Sequence, residues 1–178
     1  MKTKHAILTG VLLTMPLVAL TAGPAMAFTN VSASSGQLSV NSADAADNIS
    51  INLEGGFLVV RNSADTLLAG SAVCSKVDDH TVRCPSAGIT NILVNSQGGS
   101  DTVRNNTSLR LRAFLGPGRD TFFGGSAQDF VSGNADNDVL NGNGGADILL
   151  GNEGGSDQAF GGPGSDFCEA ETEGSCEE

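Results

Sequence analysis

The sequence predicts an all-β solenoid, and three observations carry that prediction. Asp120, Asp129, Asp138, Asp147, Asp157 and Asp166 follow one another at intervals of 9, 9, 9, 10 and 9 residues. A fixed short period means stacked repeats, each burying its apolar side only against its neighbours. Glycine or asparagine stands at constant offsets before most of these aspartates, and an apolar or small residue stands two places after each: Phe122, Val131, Leu140, Leu149, Ala159 and Cys168. Finally, no stretch after residue 27 keeps an i, i+3, i+4 apolar pattern long enough for a helix.

The chain opens on a segment that reads as an address. Lys2, Lys4 and His5 precede an apolar run over residues 6–22, and Ala25-Met26-Ala27 sets small residues at −3 and −1 of a cut before Phe28. This is the pattern of a secretory signal peptide. The run is interrupted by Gly10 and Pro16 and is short for a membrane span. Residues 1–27 are therefore expected to be removed, leaving an exported chain with no membrane span.

Residues 28–114 form a β-rich first half. Leu38 and Val40 alternate with polar residues, as do Ile49, Ile51 and Leu53, while Leu58-Val59-Val60 and Ile92-Leu93-Val94 are short apolar runs flanked by turn formers. Three Asp-x-apolar triplets (Asp47-Asn48-Ile49, Asp65-Thr66-Leu67 and Asp101-Thr102-Val103) read equally as ordinary strand entries or as a degenerate solenoid. One period beyond Asp101 stands Arg110, which cannot bind a cation.

The array itself occupies residues 115–169. Written in nines it runs LGPGRDTFF, GGSAQDFVS, GNADNDVLN and GNGGADILL, then the ten-residue GNEGGSDQAF, then GGPGSDFCE. Six residues of each repeat read as a turn and the last three as a short strand. Residues 170–178 form an acidic tail expected to cap the open end of the stack. Four cysteines in an exported chain favour disulfides, and proximity pairs Cys74 with Cys84 and Cys168 with Cys176.

Charge narrows the partners. After residue 27, 20 acidic residues face seven basic ones, and from Arg119 onward 13 acidic residues accompany that single arginine. Such a block repels phosphate backbones and anionic lipid and attracts cations, so nucleic acid is excluded as a partner. The chain has no Trp and no Tyr, which weighs against stacking on sugars or single strands.

The repeated residue is a hard-cation ligand. Calcium takes six to eight oxygens in flexible geometry. Two stacked turns can provide them from aspartates and from backbone carbonyls near Gly116, Gly118, Gly124, Gly133, Gly142, Gly151 and Gly161. If two repeats make one coil, Asp120–Asp138–Asp157 line one side and Asp129–Asp147–Asp166 the other, which places four ions between successive turns. Unneutralised carboxylates in a row repel, so binding and folding are expected to be coupled. Magnesium demands rigid octahedral geometry, and zinc prefers nitrogen or sulfur, for which only His80 remains after residue 27.

The array resembles the RTX, or haemolysin-type, calcium-binding repeat GGxGxDxUx. The resemblance rests on Gly116, Gly118 and Asp120; Gly124, Gly125 and Asp129; Gly133 and Asp138; Gly142, Gly145 and Asp147; Gly151, Gly154 and Asp157; and Gly161, Gly162, Gly164 and Asp166. It implies a parallel β-roll with calcium between turns. The whole chain is similar to small exported calcium-binding repeat proteins of actinobacteria. Departures are Leu115 for the opening glycine, Ala127 and Asp136 for the fourth-position glycine, and the residue inserted before Asp157. Ala127 is expected to strain its turn or cost a site; Asp136 offers an additional ligand.

The function expected is that of a secreted, non-enzymatic Ca2+-binding protein, with extracellular proteins or cell-surface material as further partners. One alternative is a wall- or polysaccharide-binding module. The other is a secreted hydrolase using His80 beside Asp78 and Asp79, for which no GxSxG nucleophile motif exists.

Overall fold

Two β-sheets stack face to face, and from residue 91 onward the chain crosses from one to the other at every strand. The computed structural model describes residues 27–177. The expected signal peptide therefore lies outside the described residues, apart from Ala27.

The first half builds the foundation from hairpins. β1 (Phe28–Ser34) and β2 (Gln37–Asn41) are antiparallel, joined by Ser35 and Gly36 at φ 50° and 81°. Two successive left-handed residues twist in the sense the flanking strands require. β3 (Asn48–Glu54) crosses to the second sheet and turns back through Gly55-Gly56 into β4 (Phe57–Asn62). β5 (Thr66–Ala69) lies parallel to β1 at the edge of the first sheet, and the hairpin of β6 (Ser75–Asp78) and β7 (Thr81–Pro85) extends the second sheet beyond β4. The expected Cys74–Cys84 disulfide is present and anchors this hairpin.

The stack begins where β8 (Asn91–Asn95) lies parallel on β2, and β9 (Thr102–Asn106) parallel on β3. Subsequent strands add in the same manner: β10 (Arg110–Pro117), β12 (Phe130–Ala135), β14 (Ile148–Glu153) and β16 (Phe167–Glu169) on the first sheet. On the second sheet come β11 (Thr121–Phe123), β13 (Val139–Asn141), β15 (Gln158–Phe160) and β17 (Thr172–Gly174). Each coil is thus two repeats, and the ladder runs through residue 114 without a break, so the front half and the array form one solenoid. This is an all-β, mostly parallel, β-roll-like fold.

The core follows the alternation read from the sequence. Phe122, Leu140 and Ala159 stack in one inward column, and Val131, Leu149 and Cys168 in the other, all buried. Full burial of each large side chain contributes roughly 1.5–3 kcal/mol, available only once a neighbouring coil covers it.

One expectation is corrected. Three-residue strands occur on the second sheet, but β12 and β14 run for six residues. Asn134 and Asn152 hold φ of 80° and 70° and remain in register with each other, so pairing continues around the bend. Asparagine tolerates that left-handed backbone.

Candidate metal centre

The register stacks the aspartates into two columns. Thr121 pairs with Val139, and Val139 with Gln158, so the residues just before them, Asp120, Asp138 and Asp157, lie above one another. Phe130, Ile148 and Phe167 do the same for Asp129, Asp147 and Asp166. All six are at most 2% exposed.

Each carboxylate uses its two oxygens differently. Oδ1 reaches back and accepts a backbone N–H one coil earlier, from Leu111 in the case of Asp129 and from an aspartate in the others. These bonds run from Asp120 to Asp138 at 2.8 Å, Asp138 to Asp157 at 2.8 Å, Asp129 to Asp147 at 2.7 Å, and Asp147 to Asp166 at 2.8 Å. Oδ2 is buried without a hydrogen-bond partner in Asp120, Asp138, Asp147 and Asp166. A buried acceptor left unsatisfied costs about 1–3 kcal/mol, more when charged, and its repetition along the columns calls for a cation.

Glycines show where those free oxygens aim. A methyl group added to Gly133 would land on Asp138 Oδ2 and 2.9 Å from the Gly151 carbonyl oxygen of the next coil. At Gly142 it would meet Asp147 Oδ2, and the Gly161 carbonyl oxygen at 2.7 Å. At Gly124 it would meet the Gly142 carbonyl oxygen, and Asp129 Oδ2 at 2.6 Å. Each of these three glycines therefore floors a cradle where a carboxylate oxygen and a carbonyl of the following coil converge. Asp129 is the one member whose Oδ2 also accepts a backbone N–H, from Gly125 at 2.8 Å.

Burial dominates the electrostatics. It raises the carboxyl of Asp120 to about 8, Asp129 and Asp138 to about 7, and Asp101 and Asp147 to about 6, with neighbouring carboxylates pushing in the same direction. The ladder is a high-energy arrangement of negative charge, relieved by a proton or by a metal. Among the described residues no three His, Cys, Asp or Glu side chains converge on one point, so an ion here takes most of its oxygens from backbone. That donor set suits calcium rather than zinc.

Residues 114–149 and 141–168 match the family model of the RTX calcium-binding nonapeptide repeat, in four copies. This segment is an RTX calcium-binding array. No curated protein and no solved structure matches the chain. The RTX match covers residues 114–168, while the Asp120 column extends beyond it in both directions.

The sequence left the Asp47 and Asp101 triplets open between ordinary strand entries and a degenerate solenoid, and did not offer Glu171 as a column member. Asp47 and Asp101 continue the Asp120 column: Asp47 N–H donates to Asp101 Oδ1 at 2.8 Å, and Asp101 N–H to Asp120 Oδ1 at 2.7 Å. Their Oδ2 atoms are also unpartnered. Glu171 ends the same column, its Oε2 accepting the Asp157 N–H at 2.7 Å. The signal for Asp101 was its 19-residue distance to Asp120, a full coil. A nine-residue search lands instead on Arg110.

The front coils lack the glycine floor. Ser96 stands where Gly133 stands in its coil, and its hydroxyl donates to the Leu115 carbonyl at 3.0 Å. Ser42 occupies the corresponding place before Asp47, whose Oδ1 accepts from Asn62 Nδ2 at 2.6 Å. Leu115, fully buried, fills the place before Asp120. The front coils thus carry hydroxyl and aliphatic side chains at the register positions where the array has glycine.

The remaining departures resolve individually. Asp136 is exposed, with φ 73°, and supplies the left-handed backbone of the missing glycine. Its charge still helps raise the carboxyls of Asp120 and Asp138. Ala127 keeps a negative φ, so the strain expected there is absent. The residue inserted before Asp157 is absorbed in the exposed turn of residues 154–156, and Gln158 keeps its register with Val139. Gly116 and Gly118 do not floor a carboxylate: an added methyl would meet the Gln97 and Gly99 carbonyls respectively. His80 lies on the β6–β7 turn with Nδ1 2.9 Å from the Asp65 carbonyl oxygen and 3.1 Å from that of Asn62. The side chain of Asp78 bonds the His80 backbone N–H rather than the ring, and Asp79 pairs with Lys76.

Proposed function

We propose that this is an exported, non-enzymatic protein whose array takes up calcium between coils and becomes ordered as it does so. The observation that carries the reading is the repeated meeting of a buried Asp Oδ2, partnerless at Gly133 and Gly142, with a carbonyl oxygen of the next coil, over glycine. Bound there, calcium supplies positive charge that cancels the carboxylate repulsion along each column.

Three of the inter-turn pairs keep the glycine floor: Asp129–Asp147 at Gly124, Asp138–Asp157 at Gly133, and Asp147–Asp166 at Gly142. We assign ions to these three. The Asp120–Asp138 pair has Leu115 in place of the floor and is assigned none. Asp136, exposed, is assigned a backbone role only. Export is supported by the signal-peptide pattern of residues 1–27 and by two disulfides, which belong to oxidising compartments. Among the described residues no helix is long and apolar enough to cross a membrane.

Calcium titration of the chelated protein, followed by circular dichroism and calorimetry, tests the reading. The expected result is a gain of β signal and a melting temperature that rises with calcium. A spectrum and melt indifferent to calcium would refute it.

One observation favours a binding face in addition. On the outer side of the first sheet, Arg112 lies 5.8 Å from the Phe114 ring and 5.4 Å from that of Phe130. Such an amphipathic stripe suits wall polysaccharide or an extracellular protein. A cell-wall pull-down of wild type against Arg112→Ala distinguishes this reading: equal retention removes it.

A further inference from the structure

The tail beyond the matched repeats imitates a coil with residues that have no repeat character. β17 stacks on β15 with Gln158 opposite Thr172, Glu171 receives the Asp157 N–H, and Glu177 N–H donates to the Asp166 carbonyl at 2.8 Å. That last bond is the one Ile148 makes to Asp129 and Phe167 makes to Asp147 within the array. Ser175, with φ 53°, brings its carbonyl oxygen to the Gly161 floor. A methyl group added to Gly161 would meet that oxygen, and Asp166 Oδ2 at 2.5 Å. This is the same convergence found at Gly133 and Gly142. Asp166 is 2% exposed and its Oδ2 has no partner. The Cys168–Cys176 disulfide spans eight residues and ties the residue next to Ser175 to the core.

We propose that Ser175, which lies outside the recognised repeats, completes a further calcium site with Asp166 at the end of the stack, and that the Cys168–Cys176 disulfide holds its carbonyl in place. A metal site that needs a neighbouring coil would otherwise be lost at the last repeat, because Asp166 has no following glycine-rich turn. The tail supplies one oxygen in the right place, and the covalent link replaces the packing that further coils provide elsewhere. The inference rests on the calcium reading of the array.

The experiment is calcium stoichiometry of the whole exported chain by equilibrium dialysis and calorimetry. Wild type is compared with Asp166→Asn, with Cys168→Ser/Cys176→Ser, and with the three changes combined. Asp166→Asn keeps the disulfide, and its amide oxygen can still accept the Asp147 N–H, so the Gly142 cradle of Asp147 Oδ2 and the Gly161 carbonyl is retained and one ion fewer, the terminal one, is expected to bind. The cysteine pair is expected to lose the same ion, and the triple variant no more than either. Ser175→Gly, which suits φ 53°, should retain the ion; Ser175→Val, which disfavours that backbone, should weaken it at least tenfold. If wild type takes up no calcium, the reading of the array fails and this one with it. If wild type binds but Asp166→Asn binds as many ions, only the terminal site is overturned. Additive losses in the triple variant would overturn the role given to the disulfide.

Discussion

Gly133→Ala isolates the cradle from everything else the glycine does. The φ of Gly133 lies outside the left-handed region, so alanine is acceptable to the backbone, and loss of chain entropy in the unfolded state favours it by about 0.4–1 kcal/mol. Against this, the added methyl falls on Asp138 Oδ2 and 2.9 Å from the Gly151 carbonyl oxygen, an overpacking that costs typically 1–3 kcal/mol. If the cradle holds an ion, that ion is lost as well. At calcium a hundredfold above its dissociation constant, one site contributes about 2.7 kcal/mol of stability. Gly155→Ala is the control, because nothing lies within 4 Å of a methyl there. The assay is thermal unfolding of wild type and both variants in calcium and in chelator. Gly133→Ala should lose up to about 2.5 kcal/mol in chelator and about 2.7 kcal/mol more in calcium. For a chain of this size that extra loss corresponds to roughly 5–10 °C. Gly155→Ala should stay within about 1 kcal/mol of wild type in both. An equal loss for Gly133→Ala with and without calcium would mean that the methyl disturbs packing only, and that the convergent oxygens hold no ion.

Three other outcomes are expected. In chelator, stability should fall as pH rises from about 4 to about 8: burial raises the carboxyls of Asp101, Asp120, Asp129, Asp138 and Asp147 to between about 6 and 8, while unfolded aspartates titrate near 3.9, so the folded state holds more protons across that window. Melts at pH 5 and pH 7.5 check the sign, and saturating calcium should reverse it because protons then compete with the ion. Asp138→Asn keeps an oxygen able to accept the Asp120 N–H but removes a buried charge; it should match or exceed wild type in chelator at pH 8 and bind one calcium fewer by dialysis. His80→Ala removes the ring nitrogen that faces the Asp65 and Asn62 carbonyls; it should cost about 0.5–1.5 kcal/mol in a denaturant melt and leave calcium stoichiometry unchanged.

The front coils give the array a template. Ser96, Ser42 and Asn62 place hydrogen-bonding groups beside Asp101 and Asp47, and five further strands widen the two sheets there. On the proposed reading calcium dependence concentrates where glycine floors the turns, and the disulfide-bonded foundation offers the first repeat a formed edge to stack on.

The sequence by itself determined the repeat, the all-β class and the inward positions. The step of nine residues, the aspartate, and the apolar residue two places on are all local, and a turn followed by a short strand obeys local chemistry. Phe122, Val131, Leu140 and Leu149 were legible as core for that reason. Proximity along the chain likewise sufficed for both disulfides. What only the tertiary structure decided lies between coils. Asp101 and Asp47 join the column through partners 19 and 54 residues away, across an excursion of four strands that no local period can span. By register Leu115 stands where glycine floors the later coils, and at Gly161 the converging oxygen is the backbone carbonyl of Ser175, an atom every residue carries and which therefore leaves no mark in sequence. The aspartate ladder names the ion; the stacking of coils decides which rungs can hold it, because calcium needs oxygens from two turns at once.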